Sequence, residues 1–233
     1  VPLALFPILG IVDIQDAANP YANKTIYLFF GGFLLAIAIQ KWDLHKRIAL
    51  FVLERAGSNG ASLVLGFMLT AAVISMWVMN TATTIMLLPI GLAVVTVVKE
   101  TVKGLSEKET ENFQLSLLLG IAYGATIGGM STLIGTGPNG MLAAFMADNY
   151  DLDISFIDWM KVGVPLSAIM LPSSWFVLTR IIYPVRFKTS EETRALLSSM
   201  KEELGEFQGP EVKVFMVFLL TALCWMLRTV LDD

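Results

Sequence analysis

Long apolar runs alternate with short charged segments along the chain. Five runs contain no Asp, Glu, Lys, Arg or His, and they cover residues 25–40, 56–98, 112–147, 162–179 and 214–227. A bilayer core about 30 Å thick needs about 20 helical residues, and a helix satisfies its own backbone groups inside lipid. The pattern therefore predicts an all-α integral membrane protein that crosses the membrane several times.

Composition supports this class. Of the 233 residues, 55% are hydrophobic and only 15% are charged, which is far from the usage of a soluble domain. Cys224 is the only cysteine, so no intrachain disulfide can form, and its apolar run predicts a core position. The chain begins inside an apolar run without a secretory signal, as though cut from something longer.

The placement of basic residues predicts the orientation of the linkers. Lysine and arginine accumulate on the cytoplasmic side of membrane proteins, and here they gather in residues 41–55, 99–111 and 186–213. Residues 148–158 hold four aspartates and no basic residue, and residues 13–24 hold two aspartates against one lysine. We therefore expect a multi-pass cell-membrane protein in which the first three segments are cytoplasmic and the last two external.

The neutral run 56–98 has basic flanks on both sides, so the chain must enter and leave on the same side. We predict a hairpin over residues 60–98 with the polar stretch MNTAT, residues 79–83, at its tip. Two full crossings would fit the length and would put this tip at the far surface. A re-entrant hairpin would put it at membrane depth, which is tolerated where the backbone is buried in protein or lines a wet cavity.

The neutral run 112–147 has a basic, cytoplasmic flank before it and an acidic, external flank after it, so the chain must cross the membrane an odd number of times within it. One straight helix of this length would extend about 54 Å, which is too long for a single crossing. The stretch GATIGGMSTLIGTGPNG, residues 124–140, supplies glycines and a proline that interrupt a helix. We predict a broken span over 113–147, followed by a further span over 160–185.

Two other segments read as surface helices. Residues 42–58 are amphipathic and predict a helix along the cytoplasmic interface, in which His45 faces solvent or headgroups. Residues 186–210 contain a polar stretch that predicts a cytoplasmic helix.

The two interruptions are expected to meet at mid-membrane and to form a binding site. Helices that begin at Thr81 and Asn139 would direct positive N-terminal ends at an anion. Helices that end near Met79 and Gly135 would offer carbonyl oxygens to a hard cation such as sodium. Four other threonines are read as structural, bonded to their own or a neighbouring backbone: Thr83, Thr84, Thr126 and Thr132.

Three motifs resemble the divalent anion:sodium symporters, which carry dicarboxylates, citrate or sulfate. They are LFFGGFLLAIAI at 28–39, SMWVMNTATTIMLLPI at 75–90 and GIAYGATIGGMSTLIGTGPNG at 120–140. The resemblance extends over nearly the whole chain and covers only the first of two inverted repeats. It implies an elevator transporter that forms a homodimer, with scaffold spans and an interfacial helix in 1–58, a transport domain in 59–185, and the first span of the second half in 211–233.

The resemblance also implies roles for particular residues. Substrate would be bound by Asn80, Thr81 and Thr136, and a sodium ion by Ser75, Asn80 and Gly135, with Pro138 and Asn139 lying around them. Family members usually carry serine where this chain has Met79. A thioether is a poor ligand for a hard cation, so this departure predicts weak sodium dependence.

The expected function is secondary active transport of small divalent anions, most of all C4 and C5 dicarboxylates, with sodium coupling. A sodium-independent dicarboxylate exchanger is the alternative that Met79 suggests. A membrane enzyme would need Asp, His or Cys in the neutral runs, where only Cys224 occurs, and a passive channel would need a continuous polar stripe on several helices. The expected partners are a small dianion, lipids and a second copy, and no nucleic acid.

Overall fold

The computed structural model of the protein describes residues 2–22, 24–55 and 59–231. Eleven α-helices follow one another in these residues: α1 Pro2–Ile8, α2 Ile14–Ala18, α3 Lys24–Lys41, α4 Leu44–Glu54, α5 Gly60–Ser75, α6 Asn80–Thr101, α7 Glu107–Gly129, α8 Gly137–Tyr150, α9 Phe156–Phe176, α10 Glu191–Glu203 and α11 Gly209–Leu231. A 3₁₀ turn, Asn19–Ala22, lies between α2 and α3, and a π-helical turn, Val177–Ile182, continues α9. The predicted all-α membrane fold is confirmed.

Length and composition identify the helices that can cross a membrane. Within the described residues three qualify on their own, Asn80–Thr101, Phe156–Ile182 and Gly209–Leu227. The pair Ile26–Lys41 and Leu44–Glu54 would make a fourth if it forms one span, although it is bent by 69°. At 16 residues, α5 is shorter than the 20 or so that a crossing needs.

The tightest packing in the fold joins α5 to α7 through a row of glycines. Gly120, Gly124 and Gly128 lie four residues apart on one face of α7, and this face presses against α5. A Cβ at Gly124 would lie 2.6 Å from the Met68 carbonyl oxygen, and one at Gly128 would overlap the backbone of Ala72. The two helices therefore approach backbone to backbone, which small residues permit inside membranes.

The hairpin predicted from the charge pattern is formed by α5 and α6. α5 ends at Ser75 rather than near Met79, and α6 begins at Asn80 rather than at Thr81. Ser75 Oγ donates to the Val78 carbonyl oxygen at 3.3 Å. Past Ser75 the backbone continues as a turn, in which the Val78 amide donates to the Ile74 carbonyl oxygen at 3.0 Å.

The neutral run 112–147 is interrupted where the sequence predicted a break, and it forms α7 and α8 with a non-helical link between them. α7 ends at Gly129 rather than near Gly135, and α8 begins at Gly137 rather than at Asn139. The Asn139 side chain donates to the Gly129 carbonyl oxygen at 2.9 Å. α7 therefore ends where a side chain from the next helix takes over one of its carbonyl groups.

The segment predicted as an interfacial helix is α4, and its surroundings correct one expectation. Residues 56–58 of that segment lie outside the described part of the chain. α4 packs against α5 and α10, and this packing leaves His45 only 4% exposed, with Nδ1 3.4 Å from the Ile39 carbonyl oxygen. The prediction that His45 faces solvent is wrong, because the bend between α3 and α4 brings its ring against the end of α3, where Nδ1 meets the Ile39 carbonyl oxygen.

An arginine fastens α4 to the link between α10 and α11. The Arg47 guanidinium donates to three backbone carbonyl oxygens of this link, at 2.8 Å to Gly205 and 2.9 Å each to Leu204 and Glu206. Its Nε lies 3.0 Å from Glu211 Oε2, an ion pair without an aligned hydrogen bond.

On α11 itself the side chain of Cys224 is exposed, so the expected core position for this cysteine is wrong.

Candidate binding site at the two helix breaks

The hairpin tip and the break between α7 and α8 meet at the side chain of Asn80. One terminal atom of its amide lies 2.8 Å from Ser75 Oγ, 3.2 Å from the Ala125 carbonyl oxygen and 3.3 Å from the Gly135 carbonyl oxygen. A nitrogen in this position shares its two N–H groups among these three oxygens. An oxygen there accepts from Ser75 and completes a group of four neutral oxygens, the ligand chemistry that hard cations prefer.

Two glycines allow three backbone segments to converge on this point. A Cβ at Gly129 would overlap the Asn80 amide, and a Cβ at Gly135 would overlap the Gly129 carbonyl oxygen and lie 2.9 Å from that of Ser75. Any side chain at either position would push the hairpin tip away from the break. The close approach of backbone groups is thus the reason for glycine at both sites.

Side-chain donors hold the break in shape. Asn139 Nδ2 donates to the carbonyl oxygens of Gly129, at 2.9 Å, and Thr132, at 2.7 Å. Thr132 Oγ1 donates across to the Met76 carbonyl oxygen of the hairpin tip and accepts from the Gly135 amide at 3.1 Å. The unwound segment is therefore fixed to α8 on one side and to the hairpin on the other.

The two helices that start at this site begin without a side-chain cap. Helices α5, α7, α9 and α10 each begin with a side-chain oxygen that accepts a backbone N–H, and these oxygens belong to Asn59, Ser106, Ser155 and Ser190. At α6 the cap position holds Met79, and at α8 the hydroxyl of Thr136 makes no capping bond. The short surface helices α2 and α4 also begin uncapped, but at the aspartates Asp13 and Asp43.

These uncapped starts give the site a positive character. The first N–H groups of a helix have no partner within the helix, and they carry a partial positive charge. Thr81, in the first turn of α6, is exposed, and Thr136 is half-buried. Backbone amides and hydroxyls at both helix starts can therefore receive carboxylate oxygens without a basic side chain.

The structure brings together most of the residues predicted for the site. Ser75, Asn80 and Gly135 meet directly, and Thr81 and Thr136 are the next residues along the chain. Pro138 is exposed in the first turn of α8, while Asn139 is buried and supports the break.

Met79 lies apart from the group of oxygens that surrounds the Asn80 amide. Its side chain is 47% exposed, and its backbone carbonyl accepts from the Thr83 amide at 3.0 Å. The oxygens of Ser75, Ala125 and Gly135 converge without it. Methionine at position 79 therefore does not remove the oxygens of Ser75, Ala125 and Gly135 that surround the Asn80 amide.

The four threonines that were read as structural all bond backbone carbonyls. Thr83 Oγ1 donates to Val78 at 3.4 Å, Thr84 to Asn80 at 2.9 Å and Thr126 to Ala122 at 3.0 Å, and Thr132 reaches Met76. Only Thr132 bonds across to another segment of the site, and it joins the two breaks.

Three residues that take part in the site were not predicted from the sequence. The Ala125 carbonyl belongs to a regular helix and carries no signal of its own. Trp159 and Ser167 of α9 bond carbonyls at the end of α7. The spacing Trp159, Gly163, Ser167, four residues apart, was the available signal that one face of α9 contacts something specific.

Comparison with known proteins decides which family carries this arrangement. The family model described as the sodium:sulfate symporter transmembrane region matches residues 1–232. The chain belongs to the sodium:sulfate symporter family. Within it, the chain is 36% identical over 229 residues to the sodium-dependent dicarboxylate transporter SdcS of Staphylococcus saprophyticus. It is 34% identical over 229 residues to the protein of the same name from Staphylococcus aureus strain USA300.

Both alignments cover nearly all of this chain but less than half of each relative. They include 98% of this chain and 44% of each relative. The chain therefore spans less than half the length of these two relatives, as the resemblance to a single inverted repeat implied. The sodium:sulfate symporter family is one of membrane transporters, in keeping with the apolar helices of the fold.

Proposed function

We propose that this chain forms one half of a sodium-coupled transporter for C4 and C5 dicarboxylates. The observation that carries the proposal is the convergence of Ser75 Oγ and two backbone carbonyls on the Asn80 amide, beside two uncapped helix starts. A cation and an anion find suitable groups within one small region, which is the pattern of discontinuous helices in secondary transporters.

The anion is held by the α6 and α8 starts in this proposal. Asn80, Thr81 and Thr136 supply an amide and two hydroxyls, and the first-turn amides supply further donors. Neutral donors bind a carboxylate by hydrogen bonds and helix dipoles, so they can release it again. Relatives named as dicarboxylate transporters support a dicarboxylate as the substrate.

The cation is held on the other side of the Asn80 amide. Ser75, Asn80 and the carbonyls of Ala125 and Gly135 would hold a sodium ion, with the Asn80 oxygen turned inward. Bound sodium supplies a positive charge beside the dianion, so each ligand would favour the other. The word sodium in the family description and in the relatives' names supports this choice of ion.

An elevator mechanism with a homodimeric scaffold completes the proposal. Helices α5, α6, α7 and α9 pack on one another around the site, whereas α3 and α11 contact each other and meet the rest at α4, α8 and α9 and at Trp77 of the hairpin tip, whose ring lies 4.9 Å from that of Phe218. In this proposal residues 59–185 move and residues 1–58 and 211–233 belong to the fixed unit, with the polar helix in 186–210 between them, so the packing of α4 on α5 lies across the boundary.

Uptake of radiolabelled succinate by the full-length protein in proteoliposomes tests the proposal. We expect uptake that is driven by an inward sodium gradient, accumulates succinate against its own gradient, and needs no internal dicarboxylate. Uptake that ignores sodium and requires internal dicarboxylate would favour the exchanger instead. Equilibration without accumulation under either gradient would contradict secondary active transport.

A further inference from the structure

One face of α9 lies directly against the end of α7 and the break that follows it. Trp159, Gly163 and Ser167 are four residues apart, so they lie on the same face of the helix. Trp159 Nε1 donates to the Met130 carbonyl oxygen at 2.9 Å, and Ser167 Oγ donates to that of Ile127 at 2.7 Å. Between them, a Cβ at Gly163 would lie 2.7 Å from the Met130 carbonyl oxygen.

This face also contacts the break through a pair of hydroxyls. Ser131 Oγ lies 2.8 Å from Ser167 Oγ, and both side chains are buried. Because the Ser167 proton is directed at Ile127, Ser131 is the donor of this second bond. The first residues of the break are thereby tied to α9 by two bonds in series.

The donors around the break divide its carbonyl groups into two sets. Side chains of α8 and α9 bond the carbonyls of Ile127, Gly129, Met130 and Thr132. The carbonyls of Ala125 and Gly135 face the Asn80 amide instead. The direction of the Ala125 carbonyl is set by α7 itself, whereas an unwound segment can present its oxygens in different directions, so the donors that hold the end of α7 and the break help to set which carbonyls face the Asn80 amide.

We propose that Trp159, Gly163 and Ser167 are positioning residues for the cation site. They touch neither ligand, and they act by fixing the end of α7 so that the carbonyls of Ala125 and Gly135 face Asn80. The inference rests on the proposed sodium-coupled transport at this site. It assigns to α9 a share in setting sodium affinity, although none of its residues contributes an oxygen to the site.

A second tryptophan on α9 provides a matched control. Trp175 Nε1 donates to the Ala61 carbonyl oxygen of α5 at 2.7 Å, which is the same chemistry at the other end of the same helix. Trp159→Phe and Trp175→Phe each remove one indole hydrogen bond to a neighbouring helix. Ser173→Ala is the control for Ser167→Ala, because it also removes one serine hydroxyl from α9. The Ser173 hydroxyl is exposed and bonds only its own helix, at 2.7 Å.

The test measures the sodium concentration for half-maximal succinate uptake by full-length variants in proteoliposomes, together with their melting temperatures. We expect Trp159→Phe and Ser167→Ala to raise this concentration about threefold to tenfold with little change in maximal rate, the size expected for one lost hydrogen bond. Trp175→Phe and Ser173→Ala should leave it within about twofold, even where Trp175→Phe lowers the melting temperature as much as Trp159→Phe.

The outcomes separate this inference from the function on which it rests. Wild-type protein that shows no sodium response would overturn both. A normal wild-type response with equal shifts at Trp159 and Trp175 would reduce α9 to a general structural support and overturn the inference alone. Unchanged sodium affinity in both Trp159→Phe and Ser167→Ala would overturn it as well.

Discussion

The Asn80 amide lies where the hairpin tip meets the end of α7, and its two ends have opposite chemistry. With nitrogen inward, the amide bonds Ser75, Ala125 and Gly135 and closes the group of oxygens. With oxygen inward, it adds a fourth ligand for a hard cation. Turning this one side chain thus converts a closed hydrogen-bonded group into the proposed cation site.

Removal of the polar groups at the start of α6 should abolish or strongly weaken substrate binding. In the proposed site Asn80→Ala and Thr81→Ala would each delete a hydrogen bond to a charged carboxylate, so we expect succinate affinity to fall about tenfold or more. Isothermal titration of the full-length protein in detergent and sodium chloride measures this. Thr96→Ala is the control, since the Thr96 hydroxyl is exposed on the same helix and bonds only Leu92. Near wild-type affinity in both site variants would refute the assignment.

Position 79 tests the meaning of the departure from the family pattern. Since the oxygens around Asn80 converge without the Met79 side chain, Met79→Ser should leave the sodium dependence of uptake unchanged. A serine at this cap position should stabilise the hairpin by about 1 kcal/mol through a bond to a first-turn amide, visible as a higher melting temperature. Sodium dependence that appears only in Met79→Ser would instead support the exchanger.

At the scale of helices, the glycine face of α7 is what holds the hairpin against the broken span. Gly124→Ala places a methyl group 2.6 Å from the Met68 carbonyl oxygen, and backbone cannot move aside as a flexible side chain would. We expect a loss of about 1–3 kcal/mol in unfolding free energy, measured as a lower melting temperature. Gly209→Ala, where no atom lies within 4 Å of the added Cβ, should have little effect. Equal melting temperatures for the two variants would contradict this account of the packing.

The two helix interruptions, between α5 and α6 and between α7 and α8, followed from the sequence, because charge placement and run length can be compared with a bilayer of known thickness. The ends of their helices did not follow. The Ser75 hydroxyl bonds the Val78 carbonyl oxygen just after α5, and the Asn139 amide bonds the Gly129 carbonyl oxygen at the end of α7. Such bonds depend on the folded positions of the groups. The bond of Trp159 joins residues 29 positions apart, and His45 is buried in the packing around α4, so neither could be read from local pattern.

At the scale of the whole molecule, the signed linkers predict how the chain is oriented. Cysteines introduced as Asn149→Cys and Lys103→Cys, in a background with Cys224→Ala, lie at exposed positions in the last turn of α8 and just before the start of α7. We expect an impermeant thiol reagent to label position 149 from outside right-side-out vesicles and position 103 only after the vesicles are opened. Labelling of both from the same side would overturn the single, broken crossing.

If a cation and a dianion share the site at Asn80, each ligand must change the affinity of the protein for the other. Succinate affinity of the purified full-length protein is measured by titration in sodium chloride and in potassium chloride of equal ionic strength. We predict at least about tenfold tighter binding in sodium, equivalent to about 1.4 kcal/mol of coupling, and loss of this difference in Asn80→Ala. Equal succinate affinity in the two salts for the wild-type protein would contradict the account.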